Sequence, residues 1–232
     1  RSLRLPDNVR LFPADRPATF RLEEPRVAVH GQSFAGPAVK EDLAAGYPAP
    51  LPGYFNLGLL HTAATGYASH EPYAPCTPAA LAAKGYDYWA LGHVHQHEVL
   101  STDPPIVFPG NLQGRHIREA GPKGCVRVRV DEAGRPALDF APLDVVRWAA
   151  AEVAVDGAAD AYAVVDRVRE HLEALAAAHP GLPLAVRILI RGATAAHGAL
   201  QADPARWAPE IRAGAAASAD GRVSAGKGSV DA

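Results

Sequence analysis

The stretch Tyr88-Trp89-Ala90-Leu91-Gly92-His93-Val94-His95 decides how the rest of the chain is interpreted. Its first four residues are apolar or aromatic, which predicts a short buried strand. A glycine follows, and then two histidines at positions i and i+2, a spacing that puts both imidazoles on one side of an extended backbone. Gly92 lacks a side chain, as needed where another group approaches the main chain closely. By itself the stretch indicates either a metal site or a polar loop that holds two histidines.

A second strand with the same pattern favours the metal site. The apolar segment Leu57-Gly58-Leu59-Leu60 ends in His61. In open α/β sheets, ligands bind outside the carboxyl ends of the strands. His61, His93 and His95 are therefore the candidate metal ligands at one rim of a single sheet. Two further apolar runs end in polar or glycine residues, namely Val27-Ala28-Val29 before His30-Gly31 and Ile106-Val107-Phe108 before Pro109-Gly110-Asn111.

The segment between the histidine-bearing strands predicts how they are arranged. Thr77 to Gly85 has a threonine N-cap, a proline at the first helical position and a glycine stop, all of which are typical of a helix. The order is then strand, helix, strand, which implies parallel neighbours joined by a right-handed crossover. Strands are also expected at Val9–Phe12 and in a hairpin at residues 126–140, and a short helix at residues 39–45. His30 is expected to bond to a loop, and His70 and Glu71 to lie in a solvated loop.

Composition limits the class of protein. The chain has 232 residues, 48% of them hydrophobic, which suffices for a proper core. No apolar run reaches the ~18 residues of a membrane span. The two cysteines, Cys76 and Cys125, are far apart and favour a reducing cytoplasm over a zinc–thiolate site. Since the net charge is −2, any nucleic-acid binding must use a local patch.

The pattern changes after residue 144. A strand, an amphipathic helix ending at Pro180-Gly181 and an alternating strand at residues 184–190 predict a small β-α-β unit. Glycine, alanine and serine dominate the C-terminal end, which favours disorder. We therefore expect three segments: residues 1–144, residues 145–212 and a disordered tail at residues 213–232.

Two motifs resemble a known family. The strand ending in His61 and the segment Leu91-Gly92-His93-Val94-His95 are similar to the last two metal motifs of calcineurin-like metallophosphoesterases. The segments Tyr86–His95 and Phe108–Arg115 resemble the bacterial DNA-repair exonuclease branch, SbcD-like or YhaO-like. The resemblance implies an α/β (α+β) fold: residues 1–144 as the second half of an αββα sandwich, followed by a β-α-β capping domain.

The resemblance also implies roles for individual residues. His61 and His93 would bind one metal ion of a binuclear site, and His95 the other. Asn111, Arg115 and Arg118 are the candidate substrate-binding residues, with an ordinary surface cluster as the alternative for the arginines. The family's Asp-x-His, Gly-Asp and Gly-Asn-His-Asp motifs do not occur in this sequence. We therefore expect the catalytic histidine and the bridging carboxylate to lie upstream of residue 1, and the chain alone to be inactive.

The implied activity is hydrolysis of DNA phosphodiesters by a metal-activated water, with two divalent ions. Manganese is the expected metal, and zinc, magnesium and iron are the alternatives. The expected partners are DNA, an ATPase of the SMC/Rad50-like or AAA type, and a second copy in a homodimer; the expected location is the cytoplasm, without a membrane. Two other functions stay open: a phosphomonoesterase or cyclic-nucleotide phosphodiesterase on the same scaffold, and a non-catalytic interaction module.

Overall fold

A computed structural model of the protein describes residues 4–37, 39–64, 74–217 and 221–225. The chain forms two compact units. The first comprises Arg1–Asn111 and Cys125–Ala141, and the second comprises Leu112–Gly124 and Pro142–Ala232. The mixed α/β architecture that the sequence predicts is confirmed.

A mixed six-stranded sheet is the centre of the first unit. Its central strands are parallel, whereas the first strand of the chain pairs antiparallel at one edge and the fifth at the other. The strands, in their order across the sheet, are β1 (Ala18–Leu22), β2 (Val27–Gly31), β3 (Phe55–His61), β4 (Tyr88–Gly92), β6 (Pro105–Phe108) and β5 (Glu98–Thr102).

The predicted β-α-β arrangement is confirmed between β3 and β4. Helix α1 (Pro78–Ala82) connects these two parallel strands, and the Thr77 hydroxyl caps it by accepting a hydrogen bond from the backbone N–H of Ala80 at 3.0 Å. One face of the sheet packs against α1 and a 3-10 helix at Leu43–Gly46, which stands where the sequence predicts a short helix at residues 39–45. The Trp89 indole is fully buried there and donates to the Leu81 carbonyl at 3.1 Å.

The N-terminal strand prediction is wrong. Val9–Phe12 alternate as a strand should, yet the structure assigns no strand to them. Leu11 is 68% exposed, so the apolar alternation has no described sheet face to cover it. Alternation alone cannot specify a strand when no neighbour supplies the hydrogen bonds.

The predicted hairpin is confirmed as a two-stranded sheet of β7 (Gly124–Val130) and β8 (Pro136–Pro142). The Asp131 carboxylate closes its turn by accepting from the backbone N–H groups of Ala133 and Arg135, at 3.0 and 2.8 Å. Asp and Asn commonly stabilise turns in this way.

The second unit contains the predicted β-α-β element. Strands β9 (Arg147–Ala154) and β10 (Leu184–Arg191) pair in parallel, and helix α2 (Ala161–Ala177) connects them. Fully buried Val168 and Leu172 of α2 belong to the core of this unit. Two further helices follow, α3 (His197–Ala202) and α4 (Pro204–Ala217).

The sequence predicts disorder at residues 213–232, but the residues described in this range form the end of a helix and a strand. Helix α4 continues to Ala217, and Val223–Ala225 form strand β11, parallel to β10. Val223 is only 2% exposed and belongs to the core of the second unit. A single apolar residue that completes a core can order a segment whose composition otherwise favours disorder.

The segment Leu112–Gly124 groups with the second unit, although the sequence assigns it to the first domain. The Trp148 indole N–H donates to the Gly114 carbonyl at 3.0 Å, and the Gln113 side-chain amide donates to the Val146 carbonyl at 2.7 Å. These bonds attach the segment to the start of β9. Hydrogen bonds between residues 32 or more positions apart leave no periodic pattern in the sequence.

Within the described residues, no helix has the length and apolar character needed to cross a membrane. The cytoplasmic location stays a prediction.

His30 forms a buried junction across three strands of the first unit. Its imidazole is 1% exposed; Nε2 lies 3.0 Å from the Asn56 side-chain oxygen on β3, and Nδ1 lies 2.8 Å from the Thr19 hydroxyl on β1. The Asn56 oxygen also accepts from the Leu51 backbone N–H, so it is an acceptor and His30 must donate from Nε2. The expectation of a loop partner is therefore wrong, because strand side chains bond both ring nitrogens.

This junction predicts a pH dependence of stability. Burial lowers the pKa of His30, although the hydrogen bond to Asn56 opposes the shift. The unfolded chain therefore binds a proton on His30 at a higher pH than the folded chain does. The free energy of unfolding should fall as pH drops below about 6.5, by about 1.4 kcal/mol for each pKa unit of depression. Chemical denaturation at several pH values measures this fall in the free energy of unfolding. His30→Gln should reduce the slope, and an unchanged slope would contradict the assignment.

Candidate metal centre

The carboxyl ends of β3 and β4 bring the candidate ligands to one rim of the sheet. His61 is the last residue of β3 and is paired in register with Gly92, the last residue of β4. His93 therefore leaves β4 directly beside His61. The two short strands and their parallel pairing, both predicted from the sequence, produce this placement.

The rings of His61 and His93 lie close together. Their centroids are 5.2 Å apart, with the ring planes inclined at 75°. Phe34 also packs edge-on against His61, with ring centroids 5.4 Å apart. Partial burial lowers the pKa of His61, and the nearby charge of His95 lowers it further. The structure thus brings all three predicted histidines into one neighbourhood and favours a neutral His61, the form that binds metals.

The backbone of His93 adopts a conformation that residues with a side chain rarely adopt. Its φ angle is 111°, and its Nε2 atom is buried. A non-glycine residue with such a φ costs on the order of 1–3 kcal/mol, and such residues cluster at functional sites. The His93 side chain is therefore held by its surroundings in a direction that an ordinary strand end would not give it.

Gly92 allows the His61 ring to lie against the main chain of β4. A Cβ atom at residue 92 would be 3.0 Å from the Nδ1 atom of His61. The sequence predicts a close approach at this glycine, and the approaching group is the His61 imidazole itself. Nδ1 is therefore the ring nitrogen of His61 that faces Gly92.

The loop after β6 supports the turn that carries His95. Gly110 has a φ of +79°, and a Cβ atom there would lie 3.0 Å from both the His95 carbonyl oxygen and the His97 backbone nitrogen. Asn111 follows and has a buried side-chain oxygen. The structure thus puts Asn111 in the loop that touches the His95–His97 turn, and its substrate-binding role stays a prediction.

The two candidate arginines belong to the second unit. The Arg115 guanidinium donates to Glu119 at 3.0 Å, and its backbone N–H donates to the same carboxylate at 2.8 Å. Arg118 is exposed. Glu119 is not among the residues predicted from the sequence, although its i,i+4 spacing from Arg115 is the signal that could have identified it. Arg115 thus helps to hold this loop together, although its side chain is still 65% exposed, and the substrate-binding roles of both arginines stay predictions. His70 and Glu71 lie outside the described residues.

The described residues bring candidate imidazole ligands to this rim without a complete set of metal ligands around them. Among residues 4–37, 39–64, 74–217 and 221–225, no three His, Cys, Asp or Glu side chains are placed to hold a metal ion by themselves. The His61 imidazole and the buried His93 nitrogen still fit a contribution to a divalent-metal site, since imidazole suits zinc, iron and related ions. Two dications would also need carboxylates for charge compensation.

Comparison with known proteins finds two matches to metallophosphoesterases. Residues 148–231 match the family model described as "Metallophosphoesterase YhaO, middle domain". A protein of Bacillus subtilis (strain 168) named "Uncharacterized metallophosphoesterase YhaO" is 36% identical over 191 residues. The two matches support the metallophosphoesterase family. The match covers 81% of this chain and 46% of that metallophosphoesterase, so the chain spans about half of its relative's length.

A methyl group at residue 92 tests the geometry of the centre. Gly92→Ala should displace the His61 ring, because the new Cβ would meet Nδ1 at 3.0 Å. In the complete gene product, we expect manganese affinity, measured by isothermal titration calorimetry, to fall by about tenfold or more. Gly36→Ala is the matched control, since nothing lies within 4 Å of a Cβ atom there. Equal affinity in both variants would contradict the placement of His61.

Proposed function

We propose that this chain contributes His61, His93 and His95 to the metal centre of a phosphoesterase that hydrolyses DNA phosphodiesters. The observation that carries the proposal is the 5.2 Å separation of the His61 and His93 rings at the ends of adjacent parallel strands. Resemblance of the Gly-His-x-His segment to the exonuclease branch supports DNA as the substrate. The 36% identity to a metallophosphoesterase supports the reaction class.

The chain's own part in the reaction is to hold and orient ligands. When bound, two divalent ions would activate a water molecule and stabilise the charge that develops on the phosphoryl oxygens. His61 and His93 would hold one ion and His95 the other, with manganese as the proposed metal. Charge-compensating carboxylates and the histidine that assists the leaving group must come from other residues of the complete protein.

Further properties belong to the same proposal. Arg118 is exposed and would contact a phosphate of the DNA backbone, since Arg suits phosphate recognition. An ATPase partner is proposed from the family resemblance alone, and a homodimer is proposed as a further partner.

The test uses two proteins: this chain, and the complete product of the gene that encodes it. The complete product should cleave linear duplex or single-stranded DNA in the presence of manganese, whereas the chain alone should stay at background. His93→Ala and His95→Ala should each lower the rate by about a hundredfold or more, because each removes a metal ligand. His171→Ala, at an exposed position of α2, is the control and should leave the rate unchanged.

The substrates separate the alternatives. Preference for a phosphomonoester or a cyclic nucleotide over DNA would retain the metal centre and replace the DNA assignment. Wild-type rates in His93→Ala, or cleavage by the chain alone, would show that the histidines are structural. A complete product without any hydrolytic activity would favour the interaction module.

A further inference from the structure

Thr62, the residue after His61, lies where the two histidine-bearing strands end. It is fully buried, and its backbone N–H donates to the Gly92 carbonyl at 3.1 Å. This bond extends the β3–β4 pairing by one step, to the point where His93 begins. Thr62 is therefore linked covalently to His61 and by a hydrogen bond to the residue before His93.

The Thr62 hydroxyl has a complete set of partners. It donates its one hydrogen to the Ala74 carbonyl at 2.8 Å and accepts from the backbone N–H of Ala64 at 3.0 Å. The Cys76 sulfur lies 3.3 Å away. Since the hydroxyl hydrogen is already used, the thiol must be the donor of this third contact. Burial raises the pKa of the Cys76 thiol, which keeps the thiol protonated for that purpose.

Two of these partners have unusual backbone conformations. Ala64 and Ala74 have φ angles of 38° and 39°, and both are buried. Residues with a side chain adopt such angles only when their surroundings impose them. The Thr62 hydroxyl accepts from the N–H of Ala64 and donates to the carbonyl of Ala74. It therefore satisfies two buried polar groups and favours the strained backbone conformations of both residues.

Loss of the hydroxyl would leave the Ala64 N–H and the Ala74 carbonyl buried without this partner. Each such group costs about 1–3 kcal/mol. The chain would relax by moving these groups toward water. Because Thr62 is continuous with His61 and bonded to Gly92, that movement would separate the two imidazoles.

We propose that Thr62 is a positioning residue for the metal centre: its hydroxyl restrains Ala64 and Ala74, and its backbone N–H restrains Gly92, so that His61 and His93 keep their 5.2 Å separation. The geometric part of the proposal concerns this chain alone, whereas its consequence for metal binding rests on the proposed function. A threonine directly after a strand-ending histidine is the sequence signal.

The geometric part is tested by NMR on this chain without metal. Nuclear Overhauser effects between the ring protons of His61 and His93 are expected in the wild type and in Thr62→Ser, which keeps the hydroxyl. They should be lost in Thr62→Val, which keeps the shape. Thr77→Val is the matched control: it removes the helix-capping hydroxyl of α1 in the same unit and should leave the effects in place. Persistence of the effects in Thr62→Val overturns the proposal.

The metal part is tested by manganese titration of the same substitutions made in the complete gene product. Thr62→Val should weaken binding by about 10–100-fold, while Thr62→Ser keeps wild-type affinity. If the wild type shows the ring effects but binds no manganese, the proposed function fails and the geometric part stands on the NMR result. If Thr62→Val does not fold, Thr62→Ala, which removes the hydroxyl and introduces no larger group, takes its place. Wild-type ring effects in that folded variant would likewise overturn the proposal.

Discussion

The parallel pairing of β3 with β4 is the constraint on which the rest of the first unit depends. Trp89 of β4 lies opposite Gly58 of β3, and a Cβ atom at Gly58 would be only 2.3 Å from the Trp89 ring. The glycine therefore makes room for the largest fully buried side chain of the described core. With that ring in place the register is set, and His61 falls beside Gly92. A slip by one residue would send His61 to the other face of the sheet.

The centre that results combines a well-packed support with strained details at the rim. The core beneath it includes Leu60, Leu91 and Trp89, all of them buried. At the rim, His93, Ala64 and Ala74 have positive φ angles, and Gly92 receives an imidazole against its backbone. Strain that persists at a site must be offset by the packing around it. This division between a regular core and irregular ends is typical of sites at the carboxyl ends of parallel strands.

Periodic patterns in the sequence predicted the structural features that depend on residues close together in the chain. The apolar runs before His61 and His93 and the capped helix between them led to the β-α-β unit and to the shared rim. The strand predicted at Val9–Phe12 failed because alternation does not supply a partner strand. The buried bonds of His30 and the attachment of Leu112–Gly124 to β9 join residues whose proximity only the folded chain creates. The metal roles of the three histidines stay predictions.

The most direct test of the metal centre is pulsed electron paramagnetic resonance of manganese bound to the complete gene product. Imidazole nitrogens that bind the ion directly give a characteristic modulation of the signal. We predict such modulation in the wild type, a reduced modulation in His93→Ala and an unchanged one in His171→Ala. Manganese that binds stoichiometrically without any imidazole modulation would contradict the assignment of these histidines as ligands.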